Sequence, residues 1–211
     1  MENRLVDKVI EFWFADASNS PENAFARKLF WYDGGTEIDQ KIQTTFLMEV
    51  ESACDGRLSH WANTAHGALA LILILDQFTR NIFRNTPRAY SGDELAINIV
   101  TTAITRCHDI GLSPASAIWL YHPFHHSEKI KEQDHGLALL NSLKVRSPKA
   151  WHNYIEKSIQ GWTRHREIIS RFGRFPHRNH VLKRESSYDE KIFLNQNGRS
   201  FGQGPKLVND K

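Results

Sequence analysis

The chain has 211 residues, 40% hydrophobic and 24% charged, with a net charge of +3, a balance that suits a folded domain with a core and excludes a disordered polyelectrolyte. The longest apolar run, Ala68 to Leu75, is far short of the ~18–20 residues that a membrane span requires, and the first residues lack the apolar segment of a signal peptide. Cys54 and Cys107 are isolated in sequence, as expected of thiols in a reducing compartment, so a cytoplasmic protein is expected.

Charge is unevenly spread. Residues 1–143 hold 12 Lys+Arg against 18 Asp+Glu, and residues 144–211 hold 15 against 6. No nucleic-acid motif accompanies the basic end, so it is expected to dock on the acidic front rather than on nucleic acid.

The apolar spacing is helical nearly throughout. Leu5, Val9, Phe12 and Trp13 mark a first helix, and Ala24 to Trp31 a second after the Ser20-Pro21 break. Thr36 is placed to cap a third, with Ile38, Ile42, Phe46 and Val50 on one face. Ala68 to Phe83 reads as a helix buried on most sides, followed by Ala89 to Cys107. Ser113-Pro114 opens a helix that Pro123 should interrupt, and Ser127 should cap the next, to about Leu143. Ser147-Pro148 opens a long helix ended near Phe172 by Gly173 and Pro176, and Ser187 to Glu190 is a capping box for a last short helix. The result is an all-α array of about nine helices, one domain over residues 1–195, with a loose tail over 196–211.

Three polar clusters stand out against this background, because charge beside apolar sequence is costly to bury unless it is paired or ligand-bound. In the first, Asp76, Gln77, Arg80, Asn81 and Arg84 share a helical sector of roughly 140°. They could form a structural network, yet Arg84 has no local acid. The second is His125-His126-Ser127-Glu128. It contains neither HExxH nor HxxEH, so no metal is assigned, but His126 and Glu128 are close enough for acid–base work. The third gathers Arg171, Arg174, His177, Arg178 and Asn179, with His165 two turns earlier. One helix C-terminus explains one arginine, whereas several together suit a carboxylate or phosphate. Pairing with Asp76, Asp93 or Glu128 is the bland alternative.

The stretches 75–84, 123–133 and 172–179, with Phe12-Trp13-Phe14 and residues 56–61, together resemble the bacterial family known as domain of unknown function 924, over about residues 6–195. The resemblance implies an all-helical fold like a tetratricopeptide right-handed superhelix, and implies no particular activity. Two positions depart from the family pattern. Thr79 stands where a proline is usual, which should relax the helix, and Lys183 stands where a glycine is usual, in a turn.

The clusters are expected to converge on one cleft. There Arg80, Arg84, Arg174 and Arg178 would hold an anionic small molecule, phosphorylated or carboxylated, beside His165 and Arg171. Gln77, Asn81, Gln133 and Asn179 would add neutral hydrogen bonds. His126, His177 or Glu128 would move a proton, oriented by Asp76, in a hydrolysis or transfer. No motif points to a cofactor. The rival is a scaffold that clamps an acidic peptide, with the clusters largely structural.

Overall fold

A computed structural model describes the chain over residues 2–197. Nine α-helices and several short 3-10 turns make up the described residues, and no strand is present among them. The first three helices are α1 (Glu2–Phe14), α2 (Pro21–Asp33) and α3 (Gly35–Cys54). Ser20 caps α2 by accepting the Asn23 N–H at 3.2 Å. The α3 helix buries Ile42, Phe46 and Val50 as the spacing predicts, but begins after Gly34 rather than at Thr36. Gly35 carries φ 56, a conformation open to glycine that lets the helix start two residues earlier than a Thr36 cap would set.

The fourth helix, α4, runs over residues 65–82 and is the axis of the core. Thr64 caps it by accepting the Gly67 N–H at 3.1 Å, and every residue from Gly67 to Asp76 is buried. It is not regular: residues Leu73–Phe78 form a π turn before the α-helix resumes at Thr79–Ile82. Thr79 completes the widened turn, its N–H donating to the Ile74 carbonyl, a bond that a proline here could not make, and its Oγ1 donating to the Leu75 carbonyl at 2.7 Å.

After a 3-10 turn at Pro87–Tyr90 comes α5 (Asp93–Thr105), then α6 (Pro114–His126) capped by Ser113. Pro123 does not interrupt α6. It lies in the last turn, where the one forfeited backbone bond is tolerated in a helix whose residues 115–125 are all buried. Ser127 does not cap the next helix either: α7 (Ile130–Arg146) begins after Lys129, and the Ser127 hydroxyl accepts the Lys129 N–H at 3.0 Å within the connection. A 3-10 turn at Lys149–Trp151 precedes α8 (His152–Phe172), which ends at Gly173 with φ 68. The capping box forms before α9 (Tyr188–Asn197): Ser187 Oγ accepts the Glu190 N–H at 3.2 Å, and Glu190 accepts the Ser187 N–H at 2.7 Å. The helix continues past the expected end at Asn195, and the rest of the predicted tail lies outside the described residues.

The core draws on α1 to α8, with α4 packed against α1, α3, α5 and α6. Its centre is aromatic. The Trp13 and Trp119 rings meet edge to face at 5.0 Å, and the Phe46 and Phe78 rings lie 5.0 Å apart, contacts that add to burial. Ion pairs tie the basic end to the acidic front: Arg146 to Asp109 at 2.8 Å, Arg166 to Asp134 at 2.8 Å and Arg184 to Glu128 at 2.6 Å. Neither cysteine is in a disulfide, and no helix among the described residues is long and apolar enough to cross a membrane. The α6, α7 and α8 helices pack in succession, and α2 rests on α8. Where α2, the end of α4, α6 and α8 meet, they enclose a cavity.

Candidate functional site

The cavity has a volume of about 550 Å³, within the range of small-molecule sites. Its floor comes from the π turn of α4 and the end of α6. Asp76 is fully buried there and accepts hydrogen bonds from Gln77 and, at 2.8 Å, from His126 Nδ1. It also pairs with Arg80 at 3.2 Å. The neighbouring Asp93, at the start of α5, lies 2.8 Å from the same guanidinium.

Gly92 permits that approach. A Cβ at this position would lie 2.3 Å from the Leu75 carbonyl oxygen of the π turn. Only glycine lets α5 begin so close.

Five histidines line the cavity: His122, His125, His126, His165 and His177. Burial pushes His122 down to about 4, with Asp76 offsetting part of the effect. His125, His126 and His177 are also held well below the ordinary imidazole value. Burial is the main cause, reinforced by His165, Arg80 and Arg178 respectively. A neutral imidazole against a carboxylate donates from the nitrogen that faces it, so His126 carries its proton on Nδ1 and keeps Nε2 as an acceptor.

Two buried arginines complete the floor. Burial opposes the charge on Arg80, but Asp76 and Asp93 outweigh it and raise its pKa above the usual value. Arg178 is lowered, by burial first and then by Arg80. It donates to the His126 carbonyl at 2.9 Å, and its guanidinium lies 4.7 Å from the Tyr90 ring. Three lining residues hold a buried polar atom that lacks a hydrogen-bond partner among the described residues: the Tyr90 hydroxyl, His125 Nδ1 and Arg178 Nε. Such atoms are rare in native interiors, and three of the residues that carry them line this one cavity.

The rim is different in kind. Lys28 from α2, with Lys157 and Arg164 from α8, lines it without an ion pair to any acid of the described residues. Gly161, between Lys157 and Arg164 on the same helical face, leaves the wall open there. In all, six Lys or Arg side chains line the cavity and no Asp or Glu does.

The family model described as "Bacterial protein of unknown function (DUF924)" matches residues 9–198. The chain belongs to that family. Among solved structures it is similar to ATU0120 from Agrobacterium tumefaciens, a protein of unknown function, with 32% identity and a TM-score of 0.74 over 93% of this chain and 99% of that one. No curated protein matches.

Of the residues singled out in the sequence, Gln77, Arg80, Asn81, Arg84, His126, His165, His177 and Arg178 line the cavity, with Asp76 directly behind them. Asn81 and Arg84 both bond Asp39 of α3, Arg84 at 2.7 Å, so the acid that local sequence lacks is supplied from elsewhere. The remaining candidates lie outside. Glu128 accepts the Phe175 N–H at 2.8 Å and pairs with Arg184, and Gln133 donates to the carbonyls of His125 and Ser127. Asn179 bonds Ser186. Arg174 pairs with Glu190 at 2.7 Å, and with Arg171 borders a separate, shallower depression. Among the described residues no group of three His, Cys, Asp or Glu is arranged to hold a metal ion.

The sequence reading missed Lys28, Tyr90, Lys157 and Arg164. Trp31, Tyr32, Trp119 and Trp162, which supply the aromatic lining, were not read as site residues either. On their helices these look like ordinary residues, Tyr90 stands in the 3-10 turn before α5, and only the meeting of α2, α6, α8 and that turn brings them together.

Proposed function

We propose that the cavity binds an anionic small molecule, phosphorylated or carboxylated, and that Asp76 and His126 move a proton in a hydrolysis or transfer reaction on it. One observation carries this reading: six cationic side chains and no carboxylate line a cavity of about 550 Å³. A structural network would balance its charges, as Arg174 and Glu190 do outside the cavity. Lys28, Lys157 and Arg164 are not balanced in this way and remain available to a ligand. His126 fits proton transfer because it is neutral, oriented by a buried carboxylate and set beside two arginines that would stabilise developing negative charge. A cytoplasmic setting belongs to the same reading, on the two free cysteines.

The test is a thermal-shift and calorimetric screen of phosphorylated and carboxylated metabolites against wild type and Arg178→Met, with Arg174→Ala as control. A ligand at ~100 times its Kd contributes about 2.7 kcal/mol. That contribution should appear in wild type and Arg174→Ala and vanish in Arg178→Met. A screen with no response, or one unchanged by Arg178→Met, overturns the proposal.

A second reading has its own support. The α5 to α8 helices pack in succession, as a tetratricopeptide-like superhelix would require, and Leu29 and Tyr32 are 71% and 63% exposed on α2, which also forms the rim. An acidic peptide laid across α2 would use both. It predicts binding that depends on Tyr32 and Lys28 and is indifferent to His126.

A further inference from the structure

The cavity carries its positive charge in two places, and a strip of aromatic rings joins them. The α8 helix gives the scale: Tyr154 and His165 both line the cavity, and at 1.5 Å rise per residue they stand roughly 16 Å apart along the axis. At the Tyr154 end, Lys28 Nζ lies 5.3 Å from the Tyr154 ring. Lys157 is near enough to lower the Lys28 pKa, after the larger effect of burial. At the His165 end, the His165 and Phe175 rings are 5.6 Å apart, and the Arg178 guanidinium lies 4.5 Å from Phe175.

Between the ends the rings are continuous. Trp119 stacks on His122 at 4.0 Å, and His122 meets Trp162 at 5.5 Å. Trp162 stacks on His125 at 4.8 Å, and His125 touches His165 at 3.9 Å. Lys28 and Lys157 thus face the cavity at one end and Arg80 and Arg178 at the other, so each end suits an anion. An aromatic strip between two such pairs matches a flat segment of ligand.

We propose that the ligand is two-headed: an elongated molecule with an anionic group at each end of a flat aromatic or heterocyclic segment. Arg80 and Arg178 hold the head that faces His126, Lys28 and Lys157 hold the other, and the flat segment lies along the rings. The arginines, planar and forked, suit the phosphoryl head, and the lysines act as point charges on a carboxylate or second phosphate. This rests on the anion-binding reading above and deepens it.

The test is isothermal titration with three probes: phenyl phosphate, 4-carboxyphenyl phosphate and 4′-carboxybiphenyl-4-yl phosphate. The last two add a second head at two distances. One of them should bind wild type roughly tenfold or more tighter than phenyl phosphate. The Lys28→Gln, Lys157→Gln double variant should lose that gain, so that it binds the three probes about equally, and Arg178→Met should weaken all three. Lys157→Gln alone, at an exposed position, should lose part of the gain without any change in melting temperature. No gain at either length, or a gain that survives in the double variant, overturns the two-headed ligand while the anion site stands. If none of the three probes binds wild type, the anion site itself is wrong and this inference falls with it.

Discussion

Asp76 and His126, fifty positions apart in sequence, meet with the imidazole Nδ1 2.8 Å and 2.9 Å from the two carboxylate oxygens. At pH 7 His126 is therefore expected to be neutral and protonated on Nδ1, which 15N NMR of histidine-labelled protein reads directly. An imidazolium, or a proton on Nε2, would contradict the orientation given to it above. Asp76→Asn should reverse the tautomer and destabilise the fold by about 3 kcal/mol, since it removes the buried partner of Arg80.

Acid should unfold the protein early. Four lining histidines have folded pKa values below their unfolded value of 6.5, His122 near 4, so the unfolded chain binds more protons between these limits. Their contribution is complete above about pH 6.5 and is lost as the pH falls toward 4, on the order of 3 kcal/mol for His122 alone. Urea midpoints at pH 7.5, 6 and 5 should fall steadily.

Arg174 and Arg178 are four residues apart and should behave oppositely. Arg174 holds the Glu190 carboxyl down to about 2, and Glu190 is buried. Arg174→Ala should cost about 3 kcal/mol of stability and leave phosphate binding intact. Arg178→Met should abolish binding. Chemical denaturation alongside calorimetry on both variants separates the two roles, and loss of binding in Arg174→Ala would count against the cavity as the site.

Lys183 adopts φ 54, a left-handed conformation that costs a residue with a Cβ roughly 1–2 kcal/mol. The family's usual glycine has no such penalty but loses more freedom on folding. Lys183→Gly should therefore stabilise the chain by about 1 kcal/mol, seen as a higher melting temperature with no change in ligand affinity.

Gly92→Ala should do the reverse. The added methyl would meet the Leu75 carbonyl at 2.3 Å, forcing α5 and the π turn apart at about 1–3 kcal/mol. Because the shift carries Asp93 away from Arg80, phosphate affinity should drop as well. An alanine variant of wild-type stability would mean that the approach is looser than described.

The helices were legible in the sequence because their apolar spacing is regular, as with Ile42, Phe46 and Val50 on α3. Caps were legible at Ser113 and Ser187, where a serine stands beside a proline or a capping-box glutamate, unread at Ser20 and Thr64, and misplaced at Thr36 and Ser127, where backbone geometry decides instead. Half of the cavity was legible for a related reason. Arg80, His126 and Arg178 sit in dense polar clusters, and density is visible in one dimension. Lys28 and Lys157 are 129 positions apart on separate amphipathic helices, and nothing local distinguishes them from solvated lysines. Arg174 shows the converse error: a residue inside a conspicuous cluster whose partner, Glu190, lies on the last helix.

The π turn at Leu73–Phe78 amounts to one residue more than a regular helix needs over that stretch. If the same six residues were wound as a regular α-helix instead, the tighter winding would turn everything after them by about 100°. Arg80, Asn81 and Arg84 would swing out of the cavity together while the apolar half of the helix stayed seated. The cavity's charge thus depends on the widening of this one turn, and a fold almost identical in outline could exist without the site.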